Sequence, residues 1–113
     1  MTDARVAPAS PIRKLSVIIA VYNEQDTIIE VVERVCAVDL GGMLKEIIIS
    51  DDGSTDGTRT AVERLQVDHA EVLRVYTSPT NLGKGAAVRL GMSLATGDAI
   101  IIQDADLELD PAE

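Results

Sequence analysis

The segment Asp104-Ala105-Asp106 carries the clearest chemistry in this sequence, because it comes one residue after the apolar run Ala99–Ile102. In an extended chain, residues i and i+2 project to the same side, so the two carboxylates can converge on one target. Converging carboxylates repel each other unless a cation lies between them. Oxygen ligands suit a hard divalent ion such as Mg²⁺ or Mn²⁺. The spacing therefore favours a metal site at the end of a strand.

The segment Asp51-Asp52-Gly53-Ser54 is a second candidate, and it follows another apolar run. An aspartate can accept hydrogen bonds from the N–H of a base or from a ribose hydroxyl. Asp, Ser and Thr also cap helices, so part of this segment can serve as a helix N-terminus. We interpret Asp56 as such a cap and Asp52 as a ligand-binding residue.

The segment Asn81–Gly85, with the sequence NLGKG, is typical of an anion-binding helix entry. It lacks the upstream glycine and the Ser/Thr after lysine that define a P-loop. Lys84 and, one turn later, Arg89 could assist backbone N–H groups and the helix dipole in holding an anion. A tight turn with a solvated lysine is an equally good interpretation.

These segments must be positioned by regular elements, and the apolar pattern predicts seven. The predicted strands are 15–21, 46–50, 72–76 and 98–103, and the predicted helices are 27–38, 59–67 and 86–95. Thr27 and Glu30 have capping-box spacing, and Gly97 is a candidate helix stop. The alternation predicts an α/β fold with a doubly wound, mostly parallel sheet, whose ligands bind at the carboxyl ends of the strands. Residues 1–14 are predicted to be a flexible arm.

Composition excludes several functions. The chain has 113 residues, enough for one domain, and a formal net charge of −9, which argues against nucleic-acid binding. The only cysteine, Cys36, cannot form an internal disulfide, and we interpret it as a packed thiol. The sequence has one histidine, His69, so any Ser-His-Asp or Cys-His triad would have to be built around that residue. No apolar run reaches the roughly 20 residues of a membrane span, so we expect a cytoplasmic protein, with a peripheral place at the cytoplasmic membrane face as the alternative.

Three segments together resemble the family 2 glycosyltransferases of the nucleotide-diphospho-sugar transferase (GT-A) fold. They are SVIIAVYNE, EIIISDDGSTDGT and NLGKGAAVRLGMSLATGDAIIIQDADLELDP. The last segment is most similar to the polyprenyl-phosphate sugar transferases, such as the dolichol-phosphate mannosyltransferases. The resemblance implies a Rossmann-like N-terminal half of a GT-A fold, with residues 15–113 as the nucleotide-sugar-binding part of a longer, truncated domain.

The resemblance also implies roles for individual residues. Tyr22 and Glu24 would lie against the nucleoside, Asp52 would bind the base, Asp104 would contact the ribose or sugar, and Asp106 would ligate the metal. The full set implied for the nucleotide sugar is Ala20, Tyr22, Glu24, Asp51, Asp52, Lys84, Asp104 and Ala105, and for the metal it is Asp104 and Asp106.

The implied donor is a nucleoside-diphosphate sugar of the GDP-mannose or UDP-glucose type, and the implied cofactor is Mg²⁺ or Mn²⁺. The implied acceptor is a polyprenyl or dolichyl phosphate. The acceptor-side base, if one is used, and any membrane contact would lie beyond Glu113.

Two other functions compete with this one. The first is a nucleotide-binding module without turnover. The second is a haloacid-dehalogenase-like phosphatase, although its Asp-x-Asp pair normally follows the first strand and continues into Gly-Thr. Here the pair follows the fourth predicted strand and continues into Leu-Glu.

Overall fold

Strands and helices alternate along residues 12–106, the part of the chain that this computed structural model describes. The elements are β1 Lys14–Val21, α1 Ile28–Ala37, β2 Leu44–Asp51, α2 Thr58–Asp68, β3 Leu73–Thr77, α3 Lys84–Leu94 and β4 Ala99–Asp104. Every predicted element is present. Helix α3 begins two residues earlier than predicted, so that Lys84 is its first residue. Most of the predicted N-terminal arm and the acidic residues after Asp106 lie outside the described range, whereas Lys14 already belongs to β1.

The four strands form a parallel sheet in the order β3-β2-β1-β4, which confirms the predicted doubly wound fold. The register pairs Val21 with Asp51 and Ala20 with Asp104, so three strands end at nearly the same level. The chain adds β2 and β3 on one side of β1 and β4 on the other. The order therefore reverses between β1 and β4, and in open α/β sheets ligands bind at this point, beyond the carboxyl ends of the strands.

Aliphatic side chains fill the core on both faces of the central strands, because the sequence contains neither Phe nor Trp. Val17 and Ile19 of β1 and Ile47 and Ile49 of β2 pack in one cluster with residues of α1 and α2. Helix α3 packs against β1 and β2. In contrast, Ile100, Ile101 and Ile102 of the edge strand β4 are 39%, 49% and 45% exposed. Successive strand residues point to opposite faces, so β4 is uncovered on both.

Three local predictions have different outcomes. The capping box is wrong: Thr27 makes no side-chain cap to α1, and its hydroxyl donates to the carbonyl of Ala105 at 2.8 Å instead. Gly97 is not the helix stop, since α3 ends at Leu94. The Asp56 prediction is correct in function but not in position. The N-cap residue of α2 is Gly57, and Asp56, one residue earlier, accepts the backbone N–H of Thr58 at 2.8 Å with its Oδ1. The hydrogen bonds from Thr58 lower the pKa of this carboxyl.

A buried carboxylate lies at the amino end of the sheet. Glu46 is 5% exposed and accepts hydrogen bonds from the hydroxyl of Ser16 and the backbone N–H of Thr96, both at 2.6 Å. Lys14 and Arg74 lie 3.6 and 3.5 Å from its Oε1. Burial alone would raise the pKa of Glu46, but these hydrogen bonds and the charge of Lys14 lower it to about 2. This network ties β1, β2, β3 and the exit of α3 together.

The neighbouring residue, Lys45, caps the C-terminal end of α1 with its side chain. Its Nζ donates to the carbonyls of Val35 and Val38 at 2.7 Å and to that of Cys36 at 3.0 Å. Val35 and Cys36 belong to the last turn of α1, where carbonyls lack the usual partner four residues on, and the carbonyl of Val35 otherwise accepts only a 3.3 Å bond from the N–H of Val38 among the described backbone groups. The lysine therefore stabilises these carbonyls and suits the negative end of the helix dipole. Cys36 packs against the core as predicted, and burial raises the pKa of its thiol. No helix within residues 12–106 has the length and apolar character to cross a membrane.

Candidate functional site

A cavity of about 260 Å³ opens at the carboxyl end of the sheet, where the strand order reverses. Every residue implied for the nucleotide sugar or the metal lines it except Asp51: Ala20, Tyr22, Glu24, Asp52, Lys84, Asp104, Ala105 and Asp106. Arg89, which could have assisted the anion-binding helix entry, does not line the cavity. The ends of β1, β2 and β4 and the first turn of α3 each contribute. Parallel strands bring these distant segments together because their carboxyl ends share one edge.

Asp51 does not reach the cavity. It is the last residue of β2 and is 1% exposed, and its Oδ1 accepts the backbone N–H and the hydroxyl of Ser54 at 3.0 and 2.7 Å. Its Oδ2 is buried and makes no hydrogen bond within the described residues. Adjacent residues of a strand point to opposite faces, so Asp51 fixes the turn after β2 while Asp52 faces the cavity.

Asp52 joins the end of β2 to the entry of α3. It is 3% exposed, and its two oxygens accept the backbone N–H groups of Leu82 and Gly83, each at 2.8 Å. Gly83 has φ +103, a conformation that L-residues with a side chain rarely adopt. A carboxylate oxygen can accept more than one hydrogen bond. Asp52 therefore orders this loop and retains acceptor capacity toward the cavity.

The glycine of the Asp-Asp-Gly-Ser segment brings the loops after β2 and β3 into contact. Gly53 has φ +80, and a Cβ at this position would lie 2.8 Å from the carbonyl carbon of Thr80. A side chain would therefore push the two loops apart. The loop that carries Asn81 and Gly83, both of which line the cavity, rests directly on this glycine.

Lys84 and Asp104 form an ion pair across the cavity. The Nζ of Lys84 lies 3.0 Å from Oδ1 of Asp104, and their side chains are 66% and 48% exposed. The pair bridges the start of α3 and the end of β4. A solvent-exposed pair of this kind is weak, so both groups can exchange their partner for a ligand.

The Asp-x-Asp segment is anchored through its middle residue. Ala105 is 6% exposed, and its carbonyl accepts the hydroxyl of Thr27 from the start of α1. This anchor holds Asp104 and Asp106 at the cavity wall. Within residues 12–106, no three His, Cys, Asp or Glu side chains are arranged to hold a metal. Two carboxylates still fit a hard divalent ion that takes its other ligands from water and phosphate oxygens.

Asn23 is a positioning residue that the sequence interpretation missed. Its Oδ1 accepts the backbone N–H groups of Thr55 and Asp56 at 2.8 and 3.2 Å, and its own N–H donates to the hydroxyl of Ser54 at 2.9 Å. These bonds tie the loop after β1, which carries Tyr22, to the loop after β2. Asn23, two residues after the end of β1, has φ +54, and Asn is one of the residue types that tolerate this conformation.

The cavity thus combines hard oxygen ligands, a cation, the N-terminus of a helix and a buried acceptor. Carboxylates at β4 suit a divalent cation. Lys84 and the first turn of α3 suit an anion such as phosphate. Asp52 suits a hydrogen-bond donor such as a base N–H. A ligand that carries all three features is a nucleoside diphosphate with a bound metal.

Comparison with known proteins agrees with this chemistry. The family described as Glycosyl transferase family 2 matches residues 16–113. Among solved structures, the chain is similar to the mannosyltransferase PcManGT from Pyrobaculum calidifontis in complex with GDP-Man and Mn²⁺, with 32% identity and a TM-score of 0.78. It is also similar to S. aureus TarS 1–349, with 30% identity and a TM-score of 0.73.

A third similar structure is glucosyl-3-phosphoglycerate synthase from Mycobacterium tuberculosis with Mn²⁺, UDP and phosphoglyceric acid, at 30% identity and a TM-score of 0.64. The matches cover 88%, 82% and 83% of this chain, in the order given, but only 29%, 27% and 33% of the matched chains. This chain therefore spans about a third or less of their length.

Proposed function

Because this chain belongs to glycosyl transferase family 2, we propose that its carboxyl-end cavity binds a nucleoside-diphosphate sugar together with a divalent cation. The observation that carries the proposal is the convergence of Asp104, Asp106, Lys84 and Asp52 on one cavity. Two of the similar proteins support this donor class, since PcManGT was solved with GDP-Man and Mn²⁺ and TarS with UDP-GlcNAc.

We assign the ends of the donor from the chemistry of the cavity wall. Asp52 accepts from the base, with Tyr22 and Glu24 beside the nucleoside. Asp104 faces the ribose or sugar, and Asp104 and Asp106 together would hold the cation on the diphosphate. Ala20 and Ala105 are small wall residues that let the donor approach the backbone. Asp51 does not contact the donor but contributes indirectly, because it fixes the turn that presents Asp52.

The reaction we propose is an inverting, in-line displacement at the anomeric carbon, in which the nucleoside diphosphate departs. A bound Mg²⁺ or Mn²⁺ would neutralise the charge that develops on the departing diphosphate. The residues of this chain orient the donor: Asp52 fixes the base end, and the first turn of α3 and Lys84 face the phosphates.

We propose a polyprenyl phosphate as the acceptor, at the cytoplasmic face of a membrane, on the resemblance of the NLGKG and DADL segments to the polyprenyl-phosphate sugar transferases. Such an acceptor is already an anion and needs little help from a general base. The acceptor would be bound by further polypeptide that covers β4, whose isoleucines are exposed on both faces. The reading frame after codon 113 tests whether such polypeptide exists. A further 100 codons or more, roughly one domain's length, would support an acceptor site over β4, and a stop codon would contradict it.

The donor proposal is tested by thermal unfolding with GDP or UDP, each with and without Mn²⁺ or Mg²⁺. At about a hundredfold excess over Kd, a ligand stabilises the native state by roughly 2.7 kcal/mol, which raises the Tm by several degrees. We expect one nucleotide to raise the Tm more with metal than without. Asp106→Ala should abolish the metal-dependent part. The absence of a shift with every nucleotide and metal pair would overturn the proposal.

A nucleotide-binding module without turnover is the second candidate function. It is favoured by one observation, namely that the cavity-lining residues with an assigned role all serve the donor or its metal. Nucleotide binding without sugar transfer or donor hydrolysis would support it. The phosphatase alternative is not retained, because the chain belongs to a glycosyltransferase family and its Asp-x-Asp segment ends the fourth strand.

A further inference from the structure

Lys84 is subject to two competing attractions. Its Nζ lies 3.0 Å from Asp104 Oδ1, so one of the two carboxylates assigned to donor and metal already has a positive partner. Its backbone is the first residue of α3, at the helix end where anions are stabilised. The carboxylate attracts the ammonium toward β4, whereas a phosphate at the helix entry would attract it the other way.

Only the side chain of Lys84 needs to move between these partners. The preceding residues are fixed, because Asp52 accepts the N–H groups of Leu82 and Gly83. The lysine side chain itself is 66% exposed, and its flexible stem has room to turn. The ion pair with Asp104 is exposed as well, so breaking it requires little free energy.

We propose that Lys84 competes with a divalent cation for Asp104 and leaves this carboxylate for the diphosphate when the donor binds. The inference rests on the proposed function, and it assigns Lys84 a role beyond holding phosphate. Lys84 makes metal binding weak until a nucleotide diphosphate is present, and thereby couples the two ligands. By linkage, the coupling is reciprocal: nucleotide tightens metal binding by the same factor by which metal tightens nucleotide binding.

The proposal predicts effects of opposite sign for one substitution. Lys84→Met keeps most of the length of the unbranched side chain and removes its charge. Without nucleotide, we expect the variant to bind Mn²⁺ about two- to fivefold more tightly, since an exposed ion pair no longer competes. With Mn²⁺ present, we expect GDP or UDP to bind about tenfold more weakly, since a charged hydrogen bond to phosphate is lost. The loss of one positive charge would weaken nucleotide binding with or without metal. It would not by itself make the loss of nucleotide affinity depend on metal.

The experiment measures free Mn²⁺ by its electron paramagnetic resonance signal, with the full chain, with and without GDP or UDP. Arg89→Met is the matched control, because it removes one positive charge from an exposed site one turn further along α3, outside the cavity wall. For Arg89→Met, we expect the Mn²⁺ affinity without nucleotide and the nucleotide affinity with Mn²⁺ to stay within about twofold of those of the unsubstituted chain. Lys84→Arg should keep part of the coupling, because the charge remains.

The outcomes separate the inference from the proposed function. If the unsubstituted chain binds no nucleotide diphosphate with Mn²⁺, the proposed function fails. If it binds both ligands but Lys84→Met leaves Mn²⁺ affinity unchanged or weaker without nucleotide, only the inference is overturned. Equal effects of Lys84→Met and Arg89→Met would also overturn it, because the change would then follow overall charge rather than the contact with Asp104.

Discussion

Glu46 near the start of β2 and Asp52 just past its end each direct a carboxylate at α3, one at each end of that helix. Glu46 accepts the N–H of Thr96, just beyond the end of α3, and Asp52 accepts those of Leu82 and Gly83, just before its start. The two carboxylates are similarly buried, at 5% and 3% exposure. Both therefore hold the helix to the sheet.

The two carboxylates differ in their other neighbours. Glu46 also has a serine hydroxyl and the cations Lys14 and Arg74 within 4 Å, and its pKa falls to about 2. Asp52 borders the carboxyl-end cavity. A carboxylate enclosed by donors and cations stabilises the fold, whereas one that borders a cavity retains capacity for a ligand.

Cavity size does not separate the two ends in the same way. The larger cavity, about 770 Å³, lies at the amino end beside Glu46. Its cations already have protein partners, since Lys45 donates to three carbonyls and Arg74 to the carbonyl of Leu94 and to Glu46. The smaller cavity holds the convergent groups whose partners can be exchanged. The chemistry of the wall, not its volume, identifies the candidate site.

The largest expected effect comes from Glu46→Ala, measured by urea unfolding. We expect a loss of about 3 kcal/mol in the free energy of unfolding, because the hydroxyl of Ser16 and the backbone N–H of Thr96 lose a charged acceptor. Glu30→Ala is the control, since it breaks an exposed i,i+4 pair with Arg34 and should lose only about 0.3–0.5 kcal/mol. Nucleotide affinity of the folded Glu46→Ala fraction should be unchanged. A large loss of affinity would mean that the two ends are not separate.

The second effect is the pH dependence of the same network. The pKa of Glu46 in the folded protein, about 2, lies below the ordinary value of 4.5, so its contribution is present above pH 4.5 and is lost as the pH falls toward 2. The shift corresponds to about 3 kcal/mol. The difference in unfolding free energy between the unsubstituted chain and Glu46→Gln should therefore shrink between pH 5 and about pH 2. A difference in unfolding free energy that stayed constant over this pH range would contradict the low pKa of Glu46.

Asp52→Asn should have a smaller effect on stability and a clear effect on binding. An amide can accept only one of the two N–H groups with its oxygen, and its NH₂ faces the other. We expect a loss of about 1–2 kcal/mol in stability and at least tenfold weaker nucleotide binding. Asp56→Asn, which also alters an acceptor of a backbone N–H, is the control and should leave nucleotide affinity unchanged. Equal affinity losses in both would argue against a contact between Asp52 and the base.

Lys45→Met should give the smallest effect, about 1 kcal/mol in stability, because it removes the donor at the end of α1. Hydrogen exchange should show the loss of protection in the last turn of α1. Protection at the entry of α3, where Asp52 holds Leu82 and Gly83, should stay unchanged. Faster exchange there would show that the two ends of the sheet are coupled.

The element order and most of the site were predictable from sequence, and the reason is local. Short β-branched runs and helical spacing mark the strands and helices. Parallel strands then bring their carboxyl ends, and hence Asp52, Lys84, Asp104 and Asp106, to one edge. The i, i+2 spacing of Asp104 and Asp106 needs no long-range information.

The remaining features depend on partners far away in the chain. Glu46 is the first residue of the predicted strand 46–50, and nothing near it in the sequence indicates its burial, because its partners Ser16 and Thr96 lie 30 and 50 residues away. Thr27 has the spacing of a helix cap, yet its hydroxyl bonds to Ala105, 78 residues on. Asp51 and Asp52 are chemically identical, and only the alternation of the strand decides which one meets the cavity.

Strand β4 is an edge strand of the described sheet, and its exposed Ile100, Ile101 and Ile102 make that edge apolar. The unpaired backbone groups of such an edge can template association between copies of a chain. The net charge of −9 opposes this association by mutual repulsion. The range of the repulsion is about 30 Å at 0.01 M salt and about 8 Å at 0.15 M. The tendency to associate therefore depends on ionic strength. Dilute salt keeps the molecules dispersed, whereas added salt lets the β4 edges of two molecules approach each other. Light scattering would detect this association as an increase in particle size.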